Sequence, residues 1–144
     1  MLGLLTRNTF RHGVHPPEMK DDTSHLSIRR FPFAPMLIVP LSQHLGKPAR
    51  PVVRAGQEVI RGQVIAEADG FMSVAMHAPA SGTVKQIALA PVISGNMTES
   101  IFIEPFPASS QEVDEGDPCE LETATADEII LAIQKAGIVG LGGA

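Results

Sequence analysis

The sequence is poor in aromatic side chains. It contains no Trp and no Tyr, and aromatic residues make up 4% of its 144 residues. Sites for single-stranded nucleic acid stack bases on exposed aromatic rings and follow the phosphates with basic side chains. The low aromatic content, together with a formal net charge of −5, therefore argues against a nucleic-acid partner.

Cysteine is almost absent as well. Cys119 is the one cysteine of the chain. A single thiol cannot form a disulfide within the chain, and it is too few for an iron–sulfur cluster, which is normally held by four thiolates. We therefore expect no metal or cluster in this chain. The single cysteine also fits a protein of a reducing compartment.

Long apolar runs are also missing. The opening Met1-Leu-Gly-Leu-Leu-Thr-Arg7 is too short for a signal peptide, and no stretch approaches the roughly 18 apolar residues of a membrane span. We expect a soluble, cytoplasmic chain that reaches a membrane only through partners. Hydrophobic residues still make up 44% of the sequence, which is enough to bury the core of one modest domain.

Composition divides the chain into four parts. Residues 1–30 show no sustained period and are predicted to be an extended arm. Residues 31–106 contain short β-branched runs and predict a β-domain. Residues 107–123 are acidic and are predicted to be a linker, and residues 124–144 resemble the start of a further domain.

The segment 52–88 carries the strongest structural pattern. Val and Ile runs of about six residues are separated by glycines at positions 56, 62, 70 and 82. Val and Ile suit a pleated surface, and glycine supplies the positive φ of tight turns. The pattern predicts short strands that close into a compact, mainly β structure.

One helix is predicted after the acidic stretch. Thr125 and Glu128 form a capping box, Ile129 and Ile133 start an apolar face, and Gly137 supplies a C-terminal stop. An apolar, glycine-rich run then ends the sequence at position 144. Natural domains rarely stop on such a segment, so we expect the parent chain to continue.

Two segments resemble biotinyl and lipoyl carrier domains, which fold as barrel-sandwich hybrids. They are Gly56-Gln-Glu-Val-Ile-Arg-Gly-Gln-Val-Ile-Ala66 and Ala78-Pro-Ala-Ser-Gly-Thr-Val84. In a carrier, a lysine at the tip of the hairpin between these halves tethers the cofactor. Here the tip falls near residues 69–73, and no lysine lies between Lys47 and Lys85. The resemblance therefore implies the carrier fold without the carrier function.

Two further motifs invite functional interpretations. His12 and His15, followed by Glu18, could converge on a metal, but a loop held by proline is the better explanation, because no second ligand pair is present. The run Gly140-Leu-Gly-Gly-Ala144 lets backbone N–H groups approach a phosphate or flavin, although it is an incomplete dinucleotide motif.

Four ordered motifs together resemble the C subunit family of bacterial Rnf electron-transport complexes, also called RsxC. They are Gly13-Val-His-Pro-Pro17, Pro40-Leu-Ser-Gln-His-Leu-Gly-Lys-Pro-Ala49, Val59-Ile-Arg-Gly-Gln-Val-Ile-Ala66 with His77-Ala-Pro-Ala-Ser-Gly-Thr-Val84, and Ala136-Gly-Ile-Val-Gly-Leu-Gly-Gly-Ala144. The last motif resembles the opening of the family's α/β flavin- and nucleotide-binding domain, so the chain is similar to an N-terminal fragment of that subunit.

The resemblance implies a peripheral subunit on the cytoplasmic side of the inner membrane. Such a subunit belongs to a translocase that passes electrons between NADH and ferredoxin, with the other Rnf subunits and a ferredoxin-type carrier as partners. FMN, NADH and two 4Fe-4S clusters would belong to the parent chain. Gly140, Gly142 and Gly143 would contribute backbone to the flavin and nucleotide site, and no catalytic side chain falls within the fragment.

Two alternatives share parts of this pattern. One is the N-terminal part of the A subunit of a sodium-pumping NADH:quinone oxidoreductase. The other is a biotinyl- or lipoyl-like carrier domain that lacks its lysine.

Overall fold

The structure is a computed structural model that describes residues 17–29, 32–116, 118 and 120–140. The chain divides into two units at residue 32. In the first unit, residues 17–29 are exposed and contain a turn in which the Ser24 N–H donates to the Lys20 carbonyl at 2.8 Å. The second unit holds all the strands and the helix among the described residues.

Seven strands form two antiparallel sheets in the second unit. One sheet has four strands in the order β1-β7-β6-β3, and the other has three in the order β2-β4-β5. The strands are β1 (Leu37–Pro40), β2 (Arg50–Pro51), β3 (Glu58–Val59), β4 (Val64–Glu67), β5 (Met76–His77), β6 (Gly82–Pro91) and β7 (Met97–Pro105). The prediction of a mainly β chain is confirmed.

The hydrophobic core is built from both sheets. Along parts of the longer strands, buried apolar side chains alternate with more exposed ones, as expected when one face of a strand turns inward, whereas β4 buries both Ile65 and Ala66. In β7, for example, Ile101 and Ile103 are fully buried while Glu104 is exposed. The largest buried apolar side chains are Leu41, Val59, Ile65, Val84, Ile101 and Ile103.

The four glycines of the predicted turns do not all act in the same way. Gly56, Gly62 and Gly70 have φ values of 82°, 90° and 93°, as the turn pattern predicts. The prediction is wrong for Gly82, which opens β6 without a positive φ. A Cβ at this buried position would collide with the carbonyl oxygen of Glu104 on β7, so glycine is required there by close strand approach.

Part of the acidic stretch is bonded to the β-sheets. The hydroxyl of Ser81 donates to the Glu112 carbonyl at 2.8 Å and accepts from the backbone N–H groups of Glu112 and Arg61. The Gln111 side chain pairs with the backbone of Ser81 through contacts of 2.7 and 3.0 Å. Residues 111–114 therefore bond to the part of the chain that contains the strands, residues 37–105, which we call the β-unit, and they are not only solvated.

The helix α1 spans Ala126–Lys135. The predicted capping box is present, because Thr125 Oγ1 accepts from the Glu128 N–H and the Glu128 carboxylate accepts from the Thr125 N–H. At the other end, Gly137 has a φ of 70°, its N–H donates to Gln134, and the Ile138 N–H donates to Ile133. This is a Schellman motif, and it satisfies carbonyls that the helix leaves open.

Among the described residues, neither α1 nor the short 3-10 turn at Ala108–Ser110 is long and apolar enough to cross a membrane.

Candidate functional site

The loop between β4 and β5 contains residues 69–73, where the resemblance to carrier domains predicts the tip of the hairpin. The two strands pair antiparallel, with Val64 opposite His77. Asp69 in this loop forms an ion pair with Lys47, with Nζ and Oδ2 2.6 Å apart. The Lys47 N–H also donates to the Met72 carbonyl at 2.9 Å. The loop is therefore held on one side by residue 47.

The other side of the loop is held by α1. The Gln134 side-chain amide donates to the carbonyls of Gly70, Phe71 and Ser73 at 2.9, 3.3 and 2.8 Å. The Gln134 carbonyl in turn accepts from the Ala75 N–H at 3.1 Å. The two N–H groups of one side chain therefore contact three carbonyls of the loop, and the end of α1 is fixed to it.

The ion pair has a defined electrostatic effect. The hydrogen bond from the Lys47 side chain lowers the pKa of Asp69 below its ordinary value, and partial desolvation of the carboxyl opposes that effect. Asp69 therefore stays ionised, and paired with Lys47, down to acidic pH. Because both side chains are substantially exposed, the ion pair fixes the position of the loop more than it stabilises the fold.

A groove of about 680 Å³ lies beside this loop. It is bounded by the 42–45 segment, the 71–74 segment, the β6–β7 turn at 92–94, one face of α1 and residues 138–140. We call it the apolar groove, because exposed apolar side chains dominate its rim. They include Leu45, Phe71, Ile93, Ile130, Ile133 and Ile138.

Two buried polar atoms belong to residues that line the apolar groove. The Ser73 hydroxyl is on a residue only 2% exposed, and neither it nor His44 Nδ1 has a hydrogen-bond partner among the described residues. His44 Nε2 lies 3.0 Å from the Lys47 carbonyl, which can only accept. In the neutral ring Nδ1 is therefore an acceptor that lacks a donor.

The structure brings few of the sequence-predicted site residues together. Gly140 lies in the segment after α1 and lines the apolar groove. Gly142, Gly143, His12 and His15 lie outside the described residues. Within the described ranges, no group of three His, Cys, Asp or Glu side chains is placed to hold a metal ion.

The start of α1 does not suit a phosphate. The Thr125 and Glu128 N–H groups are already occupied by the capping box, and the backbone hydrogen bond from Thr125 lowers the pKa of Glu128. Asp127 adds a second carboxylate there. Helix N-termini bind anions through free N–H groups, so the capping box and the two carboxylates disfavour a phosphate at this end.

The sequence analysis missed Gln134, His44 and Ser73 as parts of a shared surface. Their signal was weak, since Gln134 occupies an ordinary position near the end of an amphipathic helix. The break in the apolar face of the helix between Ile133 and Gly137 is the feature that could have indicated Gln134.

A family profile described as the RnfC barrel sandwich hybrid domain matches residues 8–106. The chain is 39% identical over 141 residues to the C subunit of the Na(+)-translocating ferredoxin:NAD(+) oxidoreductase complex of Acetobacterium woodii. It is 38% identical over 138 residues to the C subunit of the ion-translocating oxidoreductase complex of Pseudomonas aeruginosa. It is 37% identical over 138 residues to the C subunit of the proton-translocating ferredoxin:NAD(+) oxidoreductase complex of Clostridium ljungdahlii.

These alignments cover 94%, 95% and 94% of the chain, but only 31%, 18% and 30% of the three relatives. The chain therefore spans between about a sixth and a third of the length of the curated relatives it matches.

Proposed function

This chain belongs to the RnfC family through its barrel sandwich hybrid domain, and from that premise we propose that it is the N-terminal docking part of the C subunit of a membrane-associated, ion-translocating NADH:ferredoxin oxidoreductase. In this role the β-unit is a rigid scaffold beside the domains that carry the redox groups. The relatives' names make them subunits of ion-translocating oxidoreductase complexes.

One observation carries the scaffold role. The loop at which a carrier would swing its cofactor bears no lysine, and it is fixed by Lys47 on one side and by Gln134 on the other. A tether must move between distant sites, whereas this loop is bonded to two separate parts of the unit. The fold is therefore better suited to holding a fixed shape than to carrying a group.

The redox chemistry is proposed to lie in the rest of the subunit. FMN, NADH and two 4Fe-4S clusters would supply electron transfer there, with ferredoxin as an external carrier. Gly140, Gly142 and Gly143 remain proposed backbone contributors to the flavin and nucleotide site. By itself the 144-residue chain is proposed to bind none of these groups and to have no catalytic activity.

The same proposal includes the organisation and location of the chain. The arm at 1–30, the β-domain at 31–106, the linker at 107–123 and the start of the flavin domain at 124–144 remain the proposed division. The subunit would lie at the cytoplasmic side of the inner membrane and attach through its partner subunits.

Neither alternative gains support from a specific observation. The relatives compared above are each named as a C subunit, and none carries the name of a sodium-pumping quinone reductase. The carrier alternative can be tested separately. Because the loop bears no lysine, incubation of the 144-residue chain with a biotin or lipoate ligase should leave its mass unchanged. A mass increase equal to one cofactor would favour the carrier.

The docking role can be tested in the full-length subunit. A tagged subunit should co-purify with the rest of the complex from solubilised membranes. Replacing residues 32–106 by a short flexible linker should preserve bound FMN but abolish co-purification. Retained FMN is the control for folding of the remaining domains. Undiminished co-purification of the shortened subunit would show that the β-unit does not dock the complex.

A further inference from the structure

The apolar groove combines exposed apolar side chains from separate parts of the chain. Leu45, Phe71, Ile93 and Ile133 come from four different segments, and each is exposed. Scattered apolar side chains are normal on a protein surface, but a contiguous concave set marks an interaction site. Burial of the groove by a partner would therefore be favourable in free energy.

The helix α1 gives a second reason to expect a partner on this side. None of its residues is buried, although Ile130, Leu131 and Ile133 are large and apolar. A helix of ten residues is too short to be stable by itself, and most helices in proteins depend on packing of an apolar face. On the groove side, no described residue covers Ile130 and Ile133.

The geometry points to a partner within the same subunit. Residues 138–140 form part of the groove, so the last described residues before the rest of the subunit lie at its rim. The curated relatives compared above are about three to six times longer than the aligned region. A segment tethered this close has a high effective concentration and can occupy the groove permanently.

We propose that the apolar groove is the docking site for the polypeptide that follows residue 144 in the full-length subunit. That segment packs apolar side chains against Ile130 and Ile133, which are exposed in the groove. This inference rests on the proposed function, since it takes the chain to be the N-terminal part of a longer C subunit.

Amide hydrogen exchange of the 144-residue chain and of the full-length subunit tests this docking. In the full-length subunit, amides in 42–45, 70–75 and 130–138 should exchange at least roughly ten-fold more slowly, as expected when apolar contacts of this size form. Ile133→Asp should remove that protection. Leu131→Asp is the matched control, because Leu131 is 46% exposed on the same helix but does not line the groove, whereas Ile133 is 44% exposed within it.

Circular dichroism of both variants in the 144-residue chain shows whether each still folds. If I133D fails to fold, Ile93→Asp at the β6–β7 turn, with Leu89→Asp as its control, makes the same comparison. Equal exchange at the groove in the short chain and the full-length subunit would overturn the inference. So would protection that disappears on dilution, which would indicate a second copy, or protection that arises only when other subunits are present.

These results are separable from the proposed function. Co-purification with the complex together with an unprotected groove contradicts the docking inference alone. A protected groove without co-purification contradicts the proposed function alone.

Discussion

At the scale of single residues, two buried serines differ in their hydrogen bonds. Ser81 is 1% exposed, and its hydroxyl bonds to the backbone of Arg61 and Glu112. Ser73 is 2% exposed, and its hydroxyl has no partner among the described residues. Comparison of these two serines separates the effect that burying a hydroxyl group has on stability from the effect of hydrogen-bonding it.

Ser81→Ala should lower the free energy of unfolding by about 2 kcal/mol, because it leaves two backbone N–H groups unpaired in a buried place. Ser73→Ala should change it by less than about 0.5 kcal/mol, or raise it, because no bond is lost. Urea unfolding of the 144-residue chain measures both. Equal losses would mean that Ser73 is satisfied by a buried water.

Two glycines with similar backbone geometry differ in their surroundings. Gly137 and Gly56 have φ values of 70° and 82°. A Cβ at Gly137 would lie 2.7 Å from the Ala75 carbonyl oxygen, whereas a Cβ at Gly56 would meet no atom within 4 Å. Substitution at either position strains the backbone, but only a side chain at Gly137 also pushes the end of α1 away from Ala75.

Gly56→Ala should therefore cost about 1–2 kcal/mol of global stability, as expected for a left-handed residue with a side chain. Gly137→Ala should instead loosen the attachment of α1, because the Schellman motif and the contact with Ala75 are both disturbed. Exchange of the α1 amides should accelerate in G137A and stay unchanged in G56A. Unchanged α1 exchange in both variants would show that the close approach at Ala75 relaxes without loss.

At the scale of the element, α1 depends on the charge of its capping box. The backbone hydrogen bond from Thr125 lowers the pKa of Glu128 below its ordinary value of 4.5. A carboxyl with a lowered folded-state pKa stabilises the fold when ionised. That contribution is complete above pH 4.5 and is lost as the pH falls through the lower, folded-state pKa.

We therefore expect the first turn of α1 to be unaffected at neutral pH and to fray only as the pH falls below 4.5 and through the lower, folded-state pKa of Glu128. Amide NMR signals of Thr125 and Glu128 report this fraying. In Glu128→Gln the amide can still close the capping box but does not titrate, so its signals should lack the acidic transition. A transition of equal size in E128Q would assign the effect to another group.

At the scale of the whole molecule, the core and the helix are separable. Every residue of the main hydrophobic core lies between Val39 and Ile103, and α1 buries no residue. Residues 111–114, in contrast, bond to Ser81 and Arg61 inside the β-unit. The β-unit thus ends structurally after residue 114 rather than at its last strand.

A chain that ends at residue 116 should unfold cooperatively and lose less than about 2 kcal/mol, since it keeps the core and the bonds of Ser81. A chain that ends at residue 106 is the matched comparison, and it should lose clearly more because Ser81 and Arg61 lose their partners. Thermal and urea unfolding measure both truncations. Equal stability of the two would show that residues 111–114 contribute nothing.

Local patterns accounted for much of the fold. The glycine-spaced Val and Ile runs predicted the short strands, and the Thr125–Glu128 pair and Gly137 predicted both ends of the helix. These features depend on residues within a few positions of one another, so neighbouring side chains and backbone preferences decide them. The absence of a lysine at the loop tip, which argues against the carrier function, was equally readable from the sequence.

Only the tertiary structure decided what surrounds the candidate site. Gln134 bonds to carbonyls 61 to 64 positions away, and no local pattern predicts such a pairing. Gly82 was misread because its constraint comes from the neighbouring strand and not from its own turn. The apolar groove exists because the tertiary fold brings four distant segments together, whereas sequence periodicity describes one segment at a time.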